Sequence, residues 1–232
     1  MEKLIVQETD STMAEAARRA PAVTGPLWIL ALRQTAARGR RGREWVNPDG
    51  NFAATLVMPT PSPMDAALRS FIASLALYDT FQSLGVLNGL ALKWPNDVLL
   101  NGGKVAGILL ESLPTGHLSI GIGINLKSAP PAAEVEEGAV APVTLGTDAT
   151  PEEVLDLLAP AFTAWDTQMV TYGFEPIRTA WTARAAKLGE PIRARTMREE
   201  HHGTFEGIDG DGQLILSTPK GRLTIAAADV YF

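Results

Sequence analysis

Two apolar runs, ALKWPNDVLL and KVAGILLES, are separated only by Asn101-Gly102-Gly103. Glycine supplies the positive φ that a tight hairpin needs, so the two runs become antiparallel neighbours in one sheet. A third run, LSIGIGINL (118–126), reads as a further strand. Its small residues Ser119, Gly121 and Gly123 leave room for something to approach the backbone closely. This sheet is the frame on which the remaining segments have to pack.

Before it come LIVQE, a short strand, and DSTMAEAARRA, where Thr12 followed by Glu15 predicts a capping box and a helix that Pro21 ends. LWILALRQ (27–34) and NFAATLVM (51–58) read as strands, and Leu68, Phe71, Ile72, Leu75, Tyr78 and Phe81 keep helical spacing up to Gly85. After a Pro-, Ala- and Glu-rich loop, Thr150-Pro151-Glu152-Glu153 opens a helix with Leu155, Leu158, Phe162, Trp165 and Met169 on its buried face. A second helix is expected to carry Ile177, Trp181, Ala185 and Leu188 and to end at Gly189. From there PIRART, GTFEGI, QLILST and RLTIAAADVYF are short strands between Asp-Gly and Pro-Lys-Gly turns, a pattern that predicts a small β-barrel. The expected division is a main domain over 1–188 and a small one over 189–232.

Chemistry concentrates in ARGRRGREW (37–45), which sets Arg38, Arg40, Arg41 and Arg43 on a loop punctuated by Gly39 and Gly42. The chain as a whole is acidic, with 20 Lys plus Arg against 26 Asp plus Glu and a formal net charge of -6. Its overall field repels nucleic acid, so no DNA partner is expected and any anion site has to be local. Guanidinium forks grip carboxylate and phosphate oxygens in pairs and stay charged. A solvated basic turn is the plain alternative, but mutually repelling cations on a mobile loop, with Trp45 beside them, favour a lid that orders on an anionic ligand.

Lys93 sits in KWPND beside a turn-forming Pro-Asn-Asp; Asn96 and Asp97 either bond their own turn or, for Asp97, orient a lysine or a magnesium-bound phosphate. His201-His202 has no third ligand at helical spacing, so no metal site is expected. Ser11 lacks a neighbouring base and reads as a helix cap whose hydroxyl also suits a ligand. The chain has no cysteine, which removes disulfide and thiolate chemistry and suits a reducing compartment. No apolar run approaches the ~20 residues of a membrane span. A soluble, cytoplasmic protein is expected.

ARGRRGREW, KWPNDVLLNGGKVAGILLES and GIGINL, in this order and spacing, resemble the corresponding motifs of biotin protein ligases. DSTMAEAA resembles the opening of that family's catalytic domain, and GTFEGIDGDGQLIL its C-terminal SH3-like barrel. The resemblance spans the whole chain. It implies an α/β fold with a mixed sheet flanked by helices, as in class II aminoacyl-tRNA synthetases and lipoate ligases, with the small barrel appended. Carried over residue by residue, it places Ser11, Thr12, Gln34, Arg38, Gly39, Arg40, Lys104 and Gly107 in the biotin pocket, with Lys104 and Arg40 catalytic. It places Arg43, Trp45, Lys93, Asn96 and Asn125 at the nucleotide.

The implied reaction joins biotin to ATP as biotinyl-5'-AMP and then to a lysine of a biotin carboxyl carrier domain, by default that of acetyl-CoA carboxylase, with Mg2+ as the counter-ion of ATP. The chain departs from the family pattern in having Ala37 where glycine is usual and Met13 where asparagine is usual; methionine cannot hydrogen-bond there and has to serve by packing. The N-terminal winged helix of some members is not expected, and a homodimer through the apolar strands is left open. Rival readings are a lipoate or octanoate ligase of the same fold and a non-catalytic biotin- or anion-binding module.

Overall fold

The structure, a computed structural model, describes residues 1–39, 42, 45, 48–59, 62–131 and 139–232. In chain order the elements are β1 (Glu2–Thr9), α1 (Thr12–Arg19), β2 (Leu27–Gln34), β3 (Phe52–Pro59), α2 (Pro63–Ser83), β4 (Leu90–Lys93), β5 (Asp97–Leu100), β6 (Gly103–Ser112), β7 (His117–Ile124), α3 (Pro151–Tyr172) and α4 (Glu175–Thr182). Five short strands follow: β8 (Pro191–Arg195), β9 (Glu200–Ile208), β10 (Leu214–Thr218), β11 (Gly221–Ile225) and β12 (Asp229–Tyr231).

The first sheet runs β1-β2-β3-β7-β6-β5-β4, with β1 and β2 parallel and the other neighbours antiparallel. Asn101 and Gly102 adopt φ of 50° and 80°, the positive values that let the β5–β6 hairpin close. Alternation sorts the side chains onto two faces. Leu30, Leu56, Ile120, Ile122 and Ile124 pack with α2 and α3 in the main core, each such burial contributing roughly 1.5–3 kcal/mol. Ile29 and Val57 turn the other way, onto Ala16 of α1 and Ala20 just beyond its end. The helices α2 and α3 are further tied by Arg69 Nε, which donates to Asp166 Oδ1 at 3.0 Å.

Three local expectations are corrected. The capping box expected from Thr12 and Glu15 does not form, because Thr12 is already inside α1 and Glu15 is taken up by Arg18 and Arg19; the cap is Ser11, as also read from the sequence, its Oγ accepting from Ala14 N at 3.0 Å. ALKWPNDVLL is two strands, β4 and β5, because Trp94-Pro95-Asn96 turns the chain between them. The helix that begins after Gly173 stops at Thr182, so Ala185 and Leu188 are not on it. Residues 184–186 leave it to pair with the sheet edge, Leu92 N donating to Arg184 O (2.8 Å) and Ala186 N to Leu92 O (2.7 Å). The capping box at Thr150 and Glu153 is present as expected.

The second sheet runs β11-β10-β9-β8-β12, antiparallel throughout. Among the described residues β11 and β12 do not pair, so the small unit is an open sheet where a closed barrel was expected. Its buried residues Ile192, Phe205, Leu214 and Val230 continue the main core. Trp94 Nε1 donates to Gly212 O at 3.0 Å across the seam, and a Cβ on Gly212 would stand 2.6 Å from Phe71 Cε2, so that turn lies directly on α2. The small sheet is therefore seated against the large one at the KWPND turn.

Candidate active site

Register makes the floor of the site. Directly opposed residues of an antiparallel sheet share a face. The pairs Ala53–Gly123, Gly123–Gly107, Gly107–Asp97 and Asp97–Lys93 thus lay one row across β3, β7, β6, β5 and β4. The row is small in the middle and charged at one end. Lys104 lies three residues from Gly107, a spacing that regular alternation would put on the opposite face. A register shift between Val98 and Leu99 pairs Lys104 with Leu99 and brings it to the same face.

Above this row is a cavity of about 590 Å³. At one end Ser11, Thr12 and Gln34 line it. Gln34 Oε1 accepts from Thr12 N (2.7 Å) and Thr12 Oγ1 (3.1 Å), and Thr55 Oγ1 donates to Thr12 Oγ1 at 2.8 Å. The Thr12 hydroxyl proton and the Gln34 carbonyl are thereby committed, which leaves the Gln34 amide N–H groups and the Ser11 hydroxyl proton as donors into the cavity.

At the other end Lys104 Nζ stands 2.7 Å from Asp97 Oδ1, and Lys93 Nζ 3.7 Å from Asp97 Oδ2. One carboxylate thus orients two ammonium groups, the lysine-orienting role allowed for Asp97 by the sequence. Lys93 also lies over the Phe232 ring, 5.6 Å from its centroid, and Asp229, Val230 and Tyr231 of β12 line the same cavity. Sequence reasoning missed this wall from the small sheet: ADVYF carries no motif, and only the docking of the two sheets brings it in.

Between the ends the chain covers its own floor. The Trp45 indole lies over Gly123 and Gly107, and Lys104 Nζ is 5.5 Å from its ring centroid. Met13 lies over Gly121. The room left by these small residues is thus occupied by the protein's own side chains.

Arg38 and Gly39 reach the cavity, but the Arg38 guanidinium donates to Glu111 Oε2 at 2.9 Å, so it is anchored at the rim. Asn96 Nδ2 donates to Ile108 O (2.5 Å), and Asn125 Nδ2 to Val143 O (3.2 Å) and, more weakly, Lys104 O (3.4 Å). Both amides strap the backbone around the cavity. Arg40 and Arg43 lie outside the described residues. His202 pairs with Glu200, and among the described residues no cluster of His, Cys, Asp and Glu could hold a metal ion.

A model of the biotin/lipoate A/B protein ligase family matches residues 4–125, more than half of the chain. The chain belongs to that family. A model of the biotin protein ligase C terminal domain matches residues 187–232, the small sheet. The chain is 57% identical to a biotin–[acetyl-CoA-carboxylase] ligase of Paracoccus denitrificans, over 98% of this chain and 99% of the relative. It is 30% identical to a bifunctional ligase/repressor of Bacillus spizizenii, over 97% of this chain and 71% of the relative.

Among solved structures, the biotin protein ligase from Aquifex aeolicus in complex with biotin and ATP superposes with a TM-score of 0.85 at 22% identity, covering 99% of this chain and 98% of that one. At that identity the likeness shows a shared fold. Within the family's fold, the glycine row, the bulged lysine and the β12 wall of this chain form one continuous cavity. No helix among the described residues is long and apolar enough to cross a membrane.

Proposed function

We propose that this protein is an ATP-dependent biotin–protein ligase, which activates biotin as biotinyl-5'-AMP and transfers it to a lysine of a biotin carboxyl carrier domain. One observation carries the reading: a single cavity joins hydrogen-bond donors at Ser11 and Gln34 to the Lys104–Asp97–Lys93 cluster across a floor of glycines. A ureido head needs donors to its carbonyl, its alkyl chain needs an apolar surface such as the Trp45 indole seated on that floor, and its carboxylate has to end among cations.

In the first step a biotin carboxylate oxygen attacks the α-phosphorus of ATP, and the bond to pyrophosphate breaks. A carboxylate about 4 Å from a phosphate oxygen is repelled by roughly 4 kcal/mol per charge pair at an effective dielectric of 20. Offsetting one such pair corresponds to about three powers of ten in rate. Lys104, fixed by Asp97 and facing the glycine row, is placed to supply that offset. The family resemblance adds Arg40 to the same task and assigns the remaining phosphate charge to Lys93 and Arg43. Trp45 offers a flat face for the adenine or the alkyl chain, and Asn96 and Asn125 hold the backbone that shapes the nucleotide end.

In the second step the neutral ε-amine of the carrier lysine attacks the biotinyl carbonyl, AMP leaves, and an amide remains. The anhydride has to be kept from water until the carrier docks, the task that the family resemblance gives to the ARGRRGREW segment. Magnesium enters this reading as the counter-ion of the ATP phosphates, part of the co-substrate. A cytoplasmic location is the reading that an ATP-consuming reaction on a carboxylase supports.

The test is biotin-dependent exchange of labelled pyrophosphate into ATP, followed by transfer of labelled biotin to the purified carrier domain of acetyl-CoA carboxylase. Exchange supported by lipoate and not by biotin would show a lipoate ligase. Biotinyl-AMP binding without transfer would show a binding module.

A further inference from the structure

The head-group end of the cavity is closed by a pair whose members depend on each other. Met13 is the second residue of α1, is 5% exposed and lines the cavity next to Ser11 and Thr12. It lies flat on Gly121, where an added Cβ would stand 2.7 Å from the Met13 sulfur and 3.0 Å from its Cγ. Gly121 shares a row with Thr55 and Leu109, one step along the strands from the Ala53–Gly123–Gly107 row. The absence of a side chain at Gly121 thus lets the thioether sink to the sheet, and its depth sets how much of this end stays open.

We infer that the Met13–Gly121 pair is the specificity-determining wall for the second ring of the substrate head; the inference rests on the biotin reading above. The donors at this end, Ser11 Oγ and Gln34 Nε2, serve one polar edge of a head group. Met13 and Leu109, which line the same end, offer only apolar, polarisable surface, with no donor or acceptor of useful strength. The end therefore accepts a cyclic urea fused to an apolar ring and rejects the same bicycle with a polar second ring. Oxygen placed on the ring sulfur loses its hydration against Met13 and gains no partner.

The experiment compares biotin with biotin sulfone in the pyrophosphate-exchange assay of the full chain, with the KM for ATP measured in parallel. Wild type should prefer biotin. Met13→Gln keeps an unbranched chain on Gly121 and adds polar atoms, so the sulfone-to-biotin KM ratio should fall about tenfold, while Met13→Leu should leave it within about threefold. Gly121→Ala should lift Met13 into the cavity and raise the KM for biotin about tenfold or more with the KM for ATP unchanged, and Gly121→Ala combined with Met13→Ala should restore much of the loss.

An unchanged ratio in Met13→Gln, or a double variant no better than Gly121→Ala alone, overturns the inference while biotin-dependent exchange by wild type still supports the ligase reading. No exchange with biotin in wild type overturns that reading instead. If Gly121→Ala fails to fold, the Gln and Leu pair at position 13 decides alone.

Discussion

Lys104 Nζ and Asp97 Oδ1 stand 2.7 Å apart because a bulge in the β5–β6 ladder turns Lys104 onto the face that Asp97 already occupies. The same carboxylate also faces Lys93 at 3.7 Å, so it divides its charge between two ammonium groups. An ammonium held this way keeps its direction before any ligand arrives, which is what stabilising charge in a transition state requires.

Lys104→Ala should lower the rate of adenylate formation by about 10² to 10³-fold, the usual cost of deleting one preorganised charge donor, with a melting temperature close to wild type. Asp97→Asn should cost less in rate, since Lys104 loses its orienting partner but is itself retained. Single-turnover adenylation and thermal unfolding check both. Wild-type rates in Lys104→Ala would remove Lys104 from the first step.

The Trp45 indole and the glycine row give a second expectation. A Cβ on Gly123 would stand 2.6 Å from both Cζ2 and Nε1 of Trp45, whereas a Cβ on Gly107 would meet Trp45 Cζ3 at 3.1 Å and Lys104 Cε at 3.2 Å. Gly123→Ala should therefore dislodge the indole and raise the KM for ATP about tenfold. Gly107→Ala should instead shift Lys104 and lower kcat. If both variants change the same parameter to the same extent, the two glycines do not have these separate tasks. Adding Trp45→Ala to Gly123→Ala should abolish the extra cost of the methyl group, whichever substrate the indole touches.

The seam between the sheets can be tested at Trp94. Trp94→Phe removes the donor to Gly212 O in a buried position. Leaving that carbonyl unpaired should destabilise the protein by about 1–3 kcal/mol. Because β12 forms a wall of the cavity, the KM for ATP should rise alongside, although residue 94 lies behind the wall. Urea unfolding together with exchange kinetics reads both quantities, and a stability loss with no change in KM would separate the seam from the nucleotide end.

Much of this was legible in the sequence, for reasons specific to each segment. The Asn101-Gly102-Gly103 turn needs positive φ whatever surrounds it, so the β5–β6 hairpin could be read from three residues. The alternation of Ser119, Gly121 and Gly123 announced a close approach but not what approaches, because Met13 and Trp45 reach those glycines from far away in the chain. Ala185 and Leu188 keep helical spacing, yet the unpaired edge of β4 draws residues 184–186 away; local periodicity contains no information about an edge that needs covering. The β12 wall was hidden for the same reason.

Acid should remove the stability that the ion pairs at the start of α1 contribute. The Arg18 guanidinium beside Asp10, helped by the Ser11 N–H and the Thr9 hydroxyl, holds the Asp10 carboxyl well below the usual carboxylate range. Glu15 is lowered in the same sense by Arg18 and then Arg19. A depressed carboxyl contributes stability fully above its unfolded value, about 4, and loses it progressively as pH falls through and below that value. Asp10→Asn should flatten the acid limb of unfolding free energy between about pH 4 and 2 while leaving the slope near neutrality unchanged. Asp10 Oδ1 accepts from the Ser11 N–H at 2.8 Å, and Ser11 lines the head-group end, so the variant should also raise the KM for biotin modestly at neutral pH. An acid limb as steep in Asp10→Asn as in wild type would mean that other carboxylates govern acid unfolding.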